Sequence, residues 1–256
     1  MVEDPNIRRY VMEKIAVVTG GSSGIGLSIV KALTLSGVKA VSWDIKPPAE
    51  NVPFVECDVT SESKVQAALN ETVEKYGAPT ILVNNCGLQF MSPVDEFPLD
   101  KWNQLISIML TGTFLCSKAV IPSMKKSNWG RIINVSSIHG KEASPFKAAY
   151  VSAKHGVLGL SKVMALELAA NNITVNSICP GFVDTPLMRA QVAKQAELNK
   201  MSEEQVISDI MLKPACIKKF TTTDQVADLV NFFVSESAST ITGEAFNMTG
   251  GWGMGR

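Results

Sequence analysis

The chain is predicted to fold as a doubly wound parallel α/β sheet in a single domain spanning residues 14–256. Three observations predict it. Short β-branched runs alternate with helical stretches along most of the 256 residues. A glycine-rich turn follows the first of those runs. No linker, repeat or composition shift divides the chain. Strict β–α alternation implies a parallel sheet covered on both faces, and right-handed crossovers place helices on either side of it.

The elements follow in order. Ile15–Thr19 is an apolar run of strand length and reads as a buried strand. Gly24–Leu35 has helical patterning. Ala40–Trp43 is the next strand and stops before Pro47 and Pro48. Phe54–Glu56 is a third strand. A helix from Ser61 to Tyr76 takes Ser61 as its N-cap, since a serine oxygen there accepts from an otherwise unpaired N–H. Ile81–Val83, Arg131–Val135 and Thr174–Ile178 are further strands, separated by long helices over Lys101–Lys125 and Phe146–Ala170. The Met- and Lys-containing stretch 184–219 reads as irregular. A helix over Asp224–Phe233 and a strand over Ala245–Met248 complete the chain. Residues 1–13 read as a polar leader without the apolar core of a signal peptide, and no continuous apolar run of membrane-spanning length is present, so no membrane span is expected.

Composition narrows the function. Hydrophobic residues make up 46% and charged residues 19%, which suits a core-forming chain and not a disordered one. Lys plus Arg equals Asp plus Glu at 24 each, and no basic stripe appears, which disfavours a nucleic-acid-binding module. The five cysteines are odd in number and widely spaced. This argues for reduced thiols in a cytoplasm-like compartment, and against a disulfide framework or a zinc site. With two histidines, a His-rich metal centre is excluded and no metal is expected.

The motifs carry the chemistry. Tyr150 and Lys154 stand four apart on a helix, hence on one face. An ammonium beside a phenol favours the phenolate and lowers the Tyr pKa from its usual value of about 10, giving a proton donor and acceptor usable near neutrality. Ser137 closes the fifth strand, where its hydroxyl can polarise a carbonyl while Tyr150 supplies the proton. A serine nucleophile is the rival reading: His139 stands two residues on, but no Gly-x-Ser-x-Gly elbow surrounds Ser137.

Thr19–Gly26 turns the first strand into the first helix. Gly20, Gly24 and Gly26, with Ile25 between the last two, let backbone approach a pyrophosphate at a helix N-terminus, and Ser22 and Ser23 can add hydroxyl donors. Asp44 ends the second strand, where a carboxylate accepts from adenosine ribose hydroxyls and repels a 2′-phosphate. NAD is therefore the expected cofactor, with Lys46 close enough to leave some NADP use open. Asn84 and Asn85 follow the fourth strand. Asn84 reads as turn chemistry, whereas the Asn85 amide can reach the cofactor.

Together these pieces resemble the short-chain dehydrogenase/reductase family. The matching residues are Thr19–Gly26, Asp58, Asn84–Gly87, Ser137, Tyr150, Lys154 and Cys179–Gly181, spread from about residue 14 to 252 in the family's order. The resemblance implies a Rossmann fold and a homotetramer. It implies that Lys154 also holds the nicotinamide ribose, that Asp58 and Val59 contact adenine, that Asn85 lies on the ribose side, and that Val183 and Thr185 contact the carboxamide. Three positions depart from the family's pattern. Met109 stands where an Asn usually precedes Leu-x-Gly-x-Phe and holds a water linking the lysine to solvent. Cys86 replaces the usual Ala, and Thr249 the usual Asp before Gly-Gly. Met has no donor and is a weak acceptor, so a slower proton relay is expected.

Within the family the chain is similar to the D-3-hydroxybutyrate dehydrogenases. Gln89, His139, Lys147, Gln191 and Trp252 match positions that line the carboxylate end of that group's pocket, while Phe182 stands where the group often has Trp. The resemblance implies a small hydroxy or keto acid substrate, its carboxylate neutralised by Lys147 and bonded by Gln89, His139 and Gln191. It also implies that residues 184–219 close over the substrate as a lid. Two alternatives stay open: the same chemistry on a sugar, polyol or diketone, and a catalytically weakened cofactor-binding regulatory protein.

Overall fold

The structure is a computed structural model and describes residues 14–254. The leader over residues 1–13 lies outside the described residues. Seven strands form one parallel sheet: β1 (Ile15–Thr19), β2 (Lys39–Asp44), β3 (Phe54–Glu56), β4 (Ile81–Asn84), β5 (Gly130–Val135), β6 (Ile173–Pro180) and β7 (Ala245–Met248). Their order is β3-β2-β1-β4-β5-β6-β7, every neighbouring pair parallel. The helices are α1 (Gly24–Leu35), α2 (Glu62–Tyr76), α3 (Leu99–Ile106), α4 (Gly112–Ser127), α5 (Ala148–Leu168), α6 (Pro186–Asn199), the single turn α7 (Glu203–Gln205) and α8 (Thr223–Val234).

Period-two alternation sorts the strand side chains onto two cores. Ala16 and Val18 face α1 and α8, packing with Ile29, Leu33, Val230 and Phe233. Val17 faces the other way, toward α2, α4 and α5, with Leu69, Val120, Met124 and Leu168. Trp43 is completely buried there and donates its indole N–H to Thr72 Oγ1 at 2.8 Å. The chain leaves β3 and re-enters beside β1 as β4, so the strand order reverses at β1. In sheets of this kind the crevice beyond the strand carboxyl ends at the reversal is where ligands bind.

Three segments differ from their sequence expectation. The long helix runs from Leu99 to Ser127, but a π-turn over Ser107–Thr111 separates α3 from α4. By length and composition this run is apolar enough to cross a membrane. In the fold its Leu105, Met109, Cys116, Val120 and Met124 are buried among α5 and the sheet. The following long helix begins at Ala148, not at Phe146, because Phe146 has φ 67°, a left-handed conformation that no helix continues through.

The stretch 184–219 is largely helical where irregularity was expected. Thr185 caps α6 by accepting from the Met188 N–H at 3.2 Å, and Pro186 occupies its first turn. Ser202 and Gln205 form a capping box at α7, which continues as a π-turn over Val206–Met211. Met188, Val192, Val206 and Met211 bury a small core of their own against Phe182 and Phe220.

Candidate active site

A cleft of about 950 Å³ opens at the carboxyl edge of the sheet, along the ends of β1, β2, β4, β5 and β6. At its cofactor end, Gly20 (φ 63°) and Gly24 (φ 51°) adopt left-handed conformations that turn β1 sharply into α1. A Cβ on Gly26 would collide with the Gly20 carbonyl, so turn and helix pack backbone on backbone there. Asn85 fixes this turn: its Nδ2 donates to the carbonyls of Thr19 (3.1 Å) and Gly20 (3.2 Å), and its backbone N–H to Thr19 Oγ1 (3.0 Å). Gly20, Ser23, Gly24, Ile25, Asp44 and Asn85 line the cleft, as do Asp58 and Val59.

Ser22 does not line it. Its hydroxyl pairs with Ser42 at 3.0 Å, away from the phosphate position expected from sequence, and its N–H donates to Asp44 Oδ2 at 3.2 Å. Ser22 thus helps orient the Asp44 carboxylate. Asp44 Oδ1 also accepts from the Ile45 N–H at 2.8 Å. Asn84 ends β4 instead of sitting in a turn. It is buried, and its Nδ2 bonds Asn134 Oδ1 (2.8 Å) and Ser117 (3.2 Å).

β5 and α5 assemble the reacting end. Ser137 follows β5 and lines the cleft with Tyr150, its hydroxyl near enough to favour the phenolate. Ser137 Oγ also accepts the His139 backbone N–H at 3.1 Å, whereas the His139 ring turns away from it. That removes the nucleophile reading, since no base is placed to take the serine proton. Neighbouring Ser136 donates to the Lys154 carbonyl at 3.2 Å, tying the strand end to the helix that carries both Tyr150 and Lys154.

The electrostatics run opposite to the expectation for Tyr150. Burial pushes its phenol above the ordinary value, and the Ser137 hydroxyl offsets this only in part. Lys154 does not lower it. Its Nζ is 5.7 Å from the Tyr150 ring centroid and donates to the Val135 carbonyl at 2.7 Å. Burial pulls Lys154 itself down to about 8. Desolvation penalises the charged form of both groups and outweighs their attraction.

Gln89, His139, Lys147, Gln191 and Trp252 all line the cleft, as does Phe182. Lys147 and His139 are both buried, and Lys147 Nζ stands 3.1 Å from His139 Nε2. Burial lowers the Lys147 pKa and draws that of His139 down to about 4. Trp252 stacks on Phe182 (6.1 Å between centroids) and meets the edge of His139 (5.4 Å). His139 in turn meets Tyr150 edge-on at 6.1 Å. Val183 and Thr185 line the cleft where β6 leads into α6.

The chain matches the short chain dehydrogenase family over residues 14–196, most of its length. It belongs to that family. It is 42% identical over 255 residues to a D-beta-hydroxybutyrate dehydrogenase of Rhizobium meliloti, covering 94% of this chain and 99% of that one. A protein of the same name from Cupriavidus necator is 38% identical over 93% of this chain and 97% of its own. Among solved structures, the ligand-free aldohexose dehydrogenase of Thermoplasma acidophilum superposes with a TM-score of 0.86 at 33% identity, covering 94% of each chain. A variant actinorhodin polyketide ketoreductase with NADPH gives 0.89 at 30%, covering 94% of this chain and 98% of that one. As a member of the family the chain is an oxidoreductase of the alcohol dehydrogenase and ketoreductase type, built on the family's nicotinamide-binding fold.

Several cleft residues were not singled out from sequence. Asn103, Gln104 and Ser107 reach the cleft from the helix ahead of Met109, and Cys57 lines it beside Asp58. Their signal was faint, because polar positions on one side of an otherwise apolar helix read equally well as its solvated face. All five cysteines are free thiols. Among the described residues, no group of three or more His, Cys, Asp or Glu side chains is arranged to hold a metal ion.

Met109, the departure from the family pattern, is fully buried and packs with Leu105, Ala149 and Ala153 beneath Tyr150. Its carbonyl accepts the Thr113 hydroxyl at 2.7 Å. Restoring the family's amide by Met109→Asn is expected to raise turnover. It should also cost about 1–3 kcal/mol of stability if the new amide is left without partners. Steady-state rates and a denaturant melt check both, and an unchanged or lower turnover counts against a relay role for this position.

Proposed function

We propose that the protein is an NAD-dependent 3-hydroxybutyrate dehydrogenase, interconverting the 3-hydroxy acid and acetoacetate. The observation that carries this reading is Lys147. It is a buried cation with burial as its one perturbing influence, opening onto the same cleft as Ser137 and Tyr150. A buried charge without a counter-ion is costly, and a carboxylate ligand would compensate it. The naming of the Rhizobium meliloti and Cupriavidus necator relatives agrees.

The cleft fits a dinucleotide. Gly20 and Gly24 leave its floor bare at the start of α1, Asp44 stands at the β2 end, and Lys154 lies by the reacting end. The nicotinamide cofactor, when bound, supplies the two-electron oxidation or reduction. The chain's own residues hold and move the proton. Ser137 bonds the substrate oxygen, and Tyr150 gives its phenolic proton to the carbonyl oxygen in reduction or takes the hydroxyl proton in oxidation. Lys154 holds the ribose side. Asp58 and Val59 take the adenine, Asn85 the ribose side, and Val183 and Thr185 the carboxamide. Gln89, Gln191 and Trp252 complete the substrate end, and the helical stretch 184–219 acts as the lid.

NAD is favoured because Asp44, held by Ser22 and Ile45 N–H groups, meets a 2′-phosphate with like charge. We place the protein in the cytoplasm, as its free thiols suggest. We read it as a homotetramer, since Phe114 on α4 and Val163 and Leu166 on α5 leave large apolar side chains exposed. Oxidation of both enantiomers of 3-hydroxybutyrate, each with NAD and with NADP, tests the reading. Turnover of one enantiomer with NAD is expected. Turnover confined to aldohexoses, or equal rates with NADP, would overturn the substrate or the cofactor assignment respectively.

A further inference from the structure

One layer of the sheet breaks its apolar pattern just beneath the cleft. On the face toward α4 and α5, Val17, Leu82, Ile132 and Val175 form an apolar row across β1, β4, β5 and β6. Two residues further along each strand, period-two alternation returns the chain to the same face, and the row there is Thr19, Asn84, Asn134 and Ser177. Asn84 is in register with Asn134, and Asn134 with Ser177. All four are buried, and two buried serines reach the row from the covering helices, Ser117 on α4 and Ser161 on α5.

These side chains form a run of hydrogen bonds with one satisfactory sense. Asn84 Nδ2 donates to Ser117 Oγ (3.2 Å) and to Asn134 Oδ1 (2.8 Å). That turns Asn134 Nδ2 toward Ser161 Oγ, to which it donates at 2.8 Å. Ser161 has a single proton and gives it to the Val157 carbonyl at 2.7 Å. It therefore accepts from Ser177, 2.9 Å away. In the opposite sense Ser161 would give its proton to Asn134, and the Asn84 amide nitrogen would be buried without an acceptor. The sense present leaves Asn84 Oδ1 without a partner, and an unpaired buried carbonyl is better tolerated than an unpaired N–H.

Polar groups are costly to bury, and apolar side chains could fill the same layer. The use of the row lies in where it leads. Three successive residues at the end of β5 are bonded to α5. Asn134 holds Ser161, the Val135 carbonyl accepts from Lys154 Nζ at 2.7 Å, and Ser136 Oγ donates to the Lys154 carbonyl at 3.2 Å. The next residue is Ser137. Lys154 and Ser161 stand seven apart, about two turns of helix, and so share one face of α5. Apolar packing is non-directional and lets a helix slide along a sheet, whereas hydrogen bonds at both ends of a two-turn span resist it.

We propose that Asn134 and Ser161 are positioning residues: their hydrogen bond fixes the axial register of α5 on β5, and with it the placing of Tyr150 and Lys154 against Ser137. This rests on the catalytic roles given above to those three residues, and not on the identity of the substrate. Ser117 takes part in the same row but ends on α4, which carries none of the three, so it stabilises the fold without setting the site.

Kinetics of full-length variants tests this. Ser161→Ala is expected to lower kcat for sodium 3-hydroxybutyrate with NAD about tenfold, within the hundredfold that a misplacement of about 1 Å can cost, while the Kd for NADH stays unchanged. Ser161→Cys, close in size but a weak donor and acceptor, should fall between alanine and wild type, and it carries the test if the alanine variant does not fold. Ser117→Ala should lose comparable thermal stability and keep its kcat. In a Tyr150→Phe background, Ser161→Ala should cost nothing further, because no phenol is left to place. An unchanged kcat in the Ser161 variants, equal losses in the Ser117 and Ser161 variants, or a full further loss in the Tyr150→Phe background would overturn the positioning role. The readings fail separately. A wild type inactive on 3-hydroxybutyrate removes the substrate assignment alone, and the same variants are then compared on an aldohexose. Full turnover by Tyr150→Phe removes the catalytic reading and this proposal with it. Loss in Tyr150→Phe without loss in Ser161→Ala removes the positioning role and leaves the catalytic reading in place.

Discussion

Tyr150→Phe is expected to lower turnover by about a thousandfold while the protein still binds NAD, since the position would lose its proton donor and little else. The phenyl ring fills the same volume against Leu105, Met109, Ala149 and Ala153, so the helix and its neighbours stay in place. Ser137 keeps its other bond to the His139 N–H, and Lys154 keeps its bond to the Val135 carbonyl. Fluorescence titration with NADH measures binding, and steady-state absorbance measures turnover. Retained full activity would remove Tyr150 from its role.

The same site predicts a direction of pH dependence. Burial raises the Tyr150 pKa, so the phenol holds its proton throughout the neutral range. Reduction, which consumes that proton, should change little between pH 6 and 8. Oxidation, which needs the phenolate, should rise with pH across the same range. A mirror-image profile would point to a different acid.

Much of this site could be read from the residues, and the exceptions share a cause. The strands were legible because apolar runs bounded by glycine and proline have few other ways to pack, and the cofactor turn because Gly20 and Gly24 stand where the backbone needs φ above zero. Phe146 was not legible. Nothing in an aromatic residue announces a left-handed conformation, and only the bond from the Ser92 N–H to its carbonyl, 3.0 Å long, shows what holds it. The helices within 184–219 were not legible because their apolar residues pack on one another and on Phe182 and Phe220, so they carry no stripe directed at the sheet.

Ser22 and Ser23 look alike in the sequence. A single turn of backbone sends one toward Ser42 and the other into the cleft. The direction of the Tyr150 shift is hidden from the sequence for the same kind of reason. Four-residue spacing brings a lysine near a tyrosine, but how much water the fold removes from both is a tertiary quantity.

Lys147→Ala is expected to raise KM for 3-hydroxybutyrate by about a hundredfold, and to affect the uncharged methyl ester far less. The magnitude follows from charge. A charge-assisted bond removed from a desolvated pair costs about 2–5 kcal/mol, and each 1.4 kcal/mol is a tenfold change in binding. The effect should fall on binding more than on turnover, because in the proposed complex Lys147 meets the carboxylate while Ser137 and Tyr150 meet the reacting oxygen. It should also be accompanied by a more stable apo-protein. Removing a lysine whose pKa is depressed by burial relieves the cost of a buried charge, whereas a solvated surface lysine would leave stability unchanged. A melt and a pair of Michaelis curves therefore test one idea twice. Equal losses for acid and ester, with no gain in stability, would reduce Lys147 to a first-turn helix residue. A selective loss with a stability gain would identify it as the charge that defines the substrate, its counter-ion arriving with the ligand.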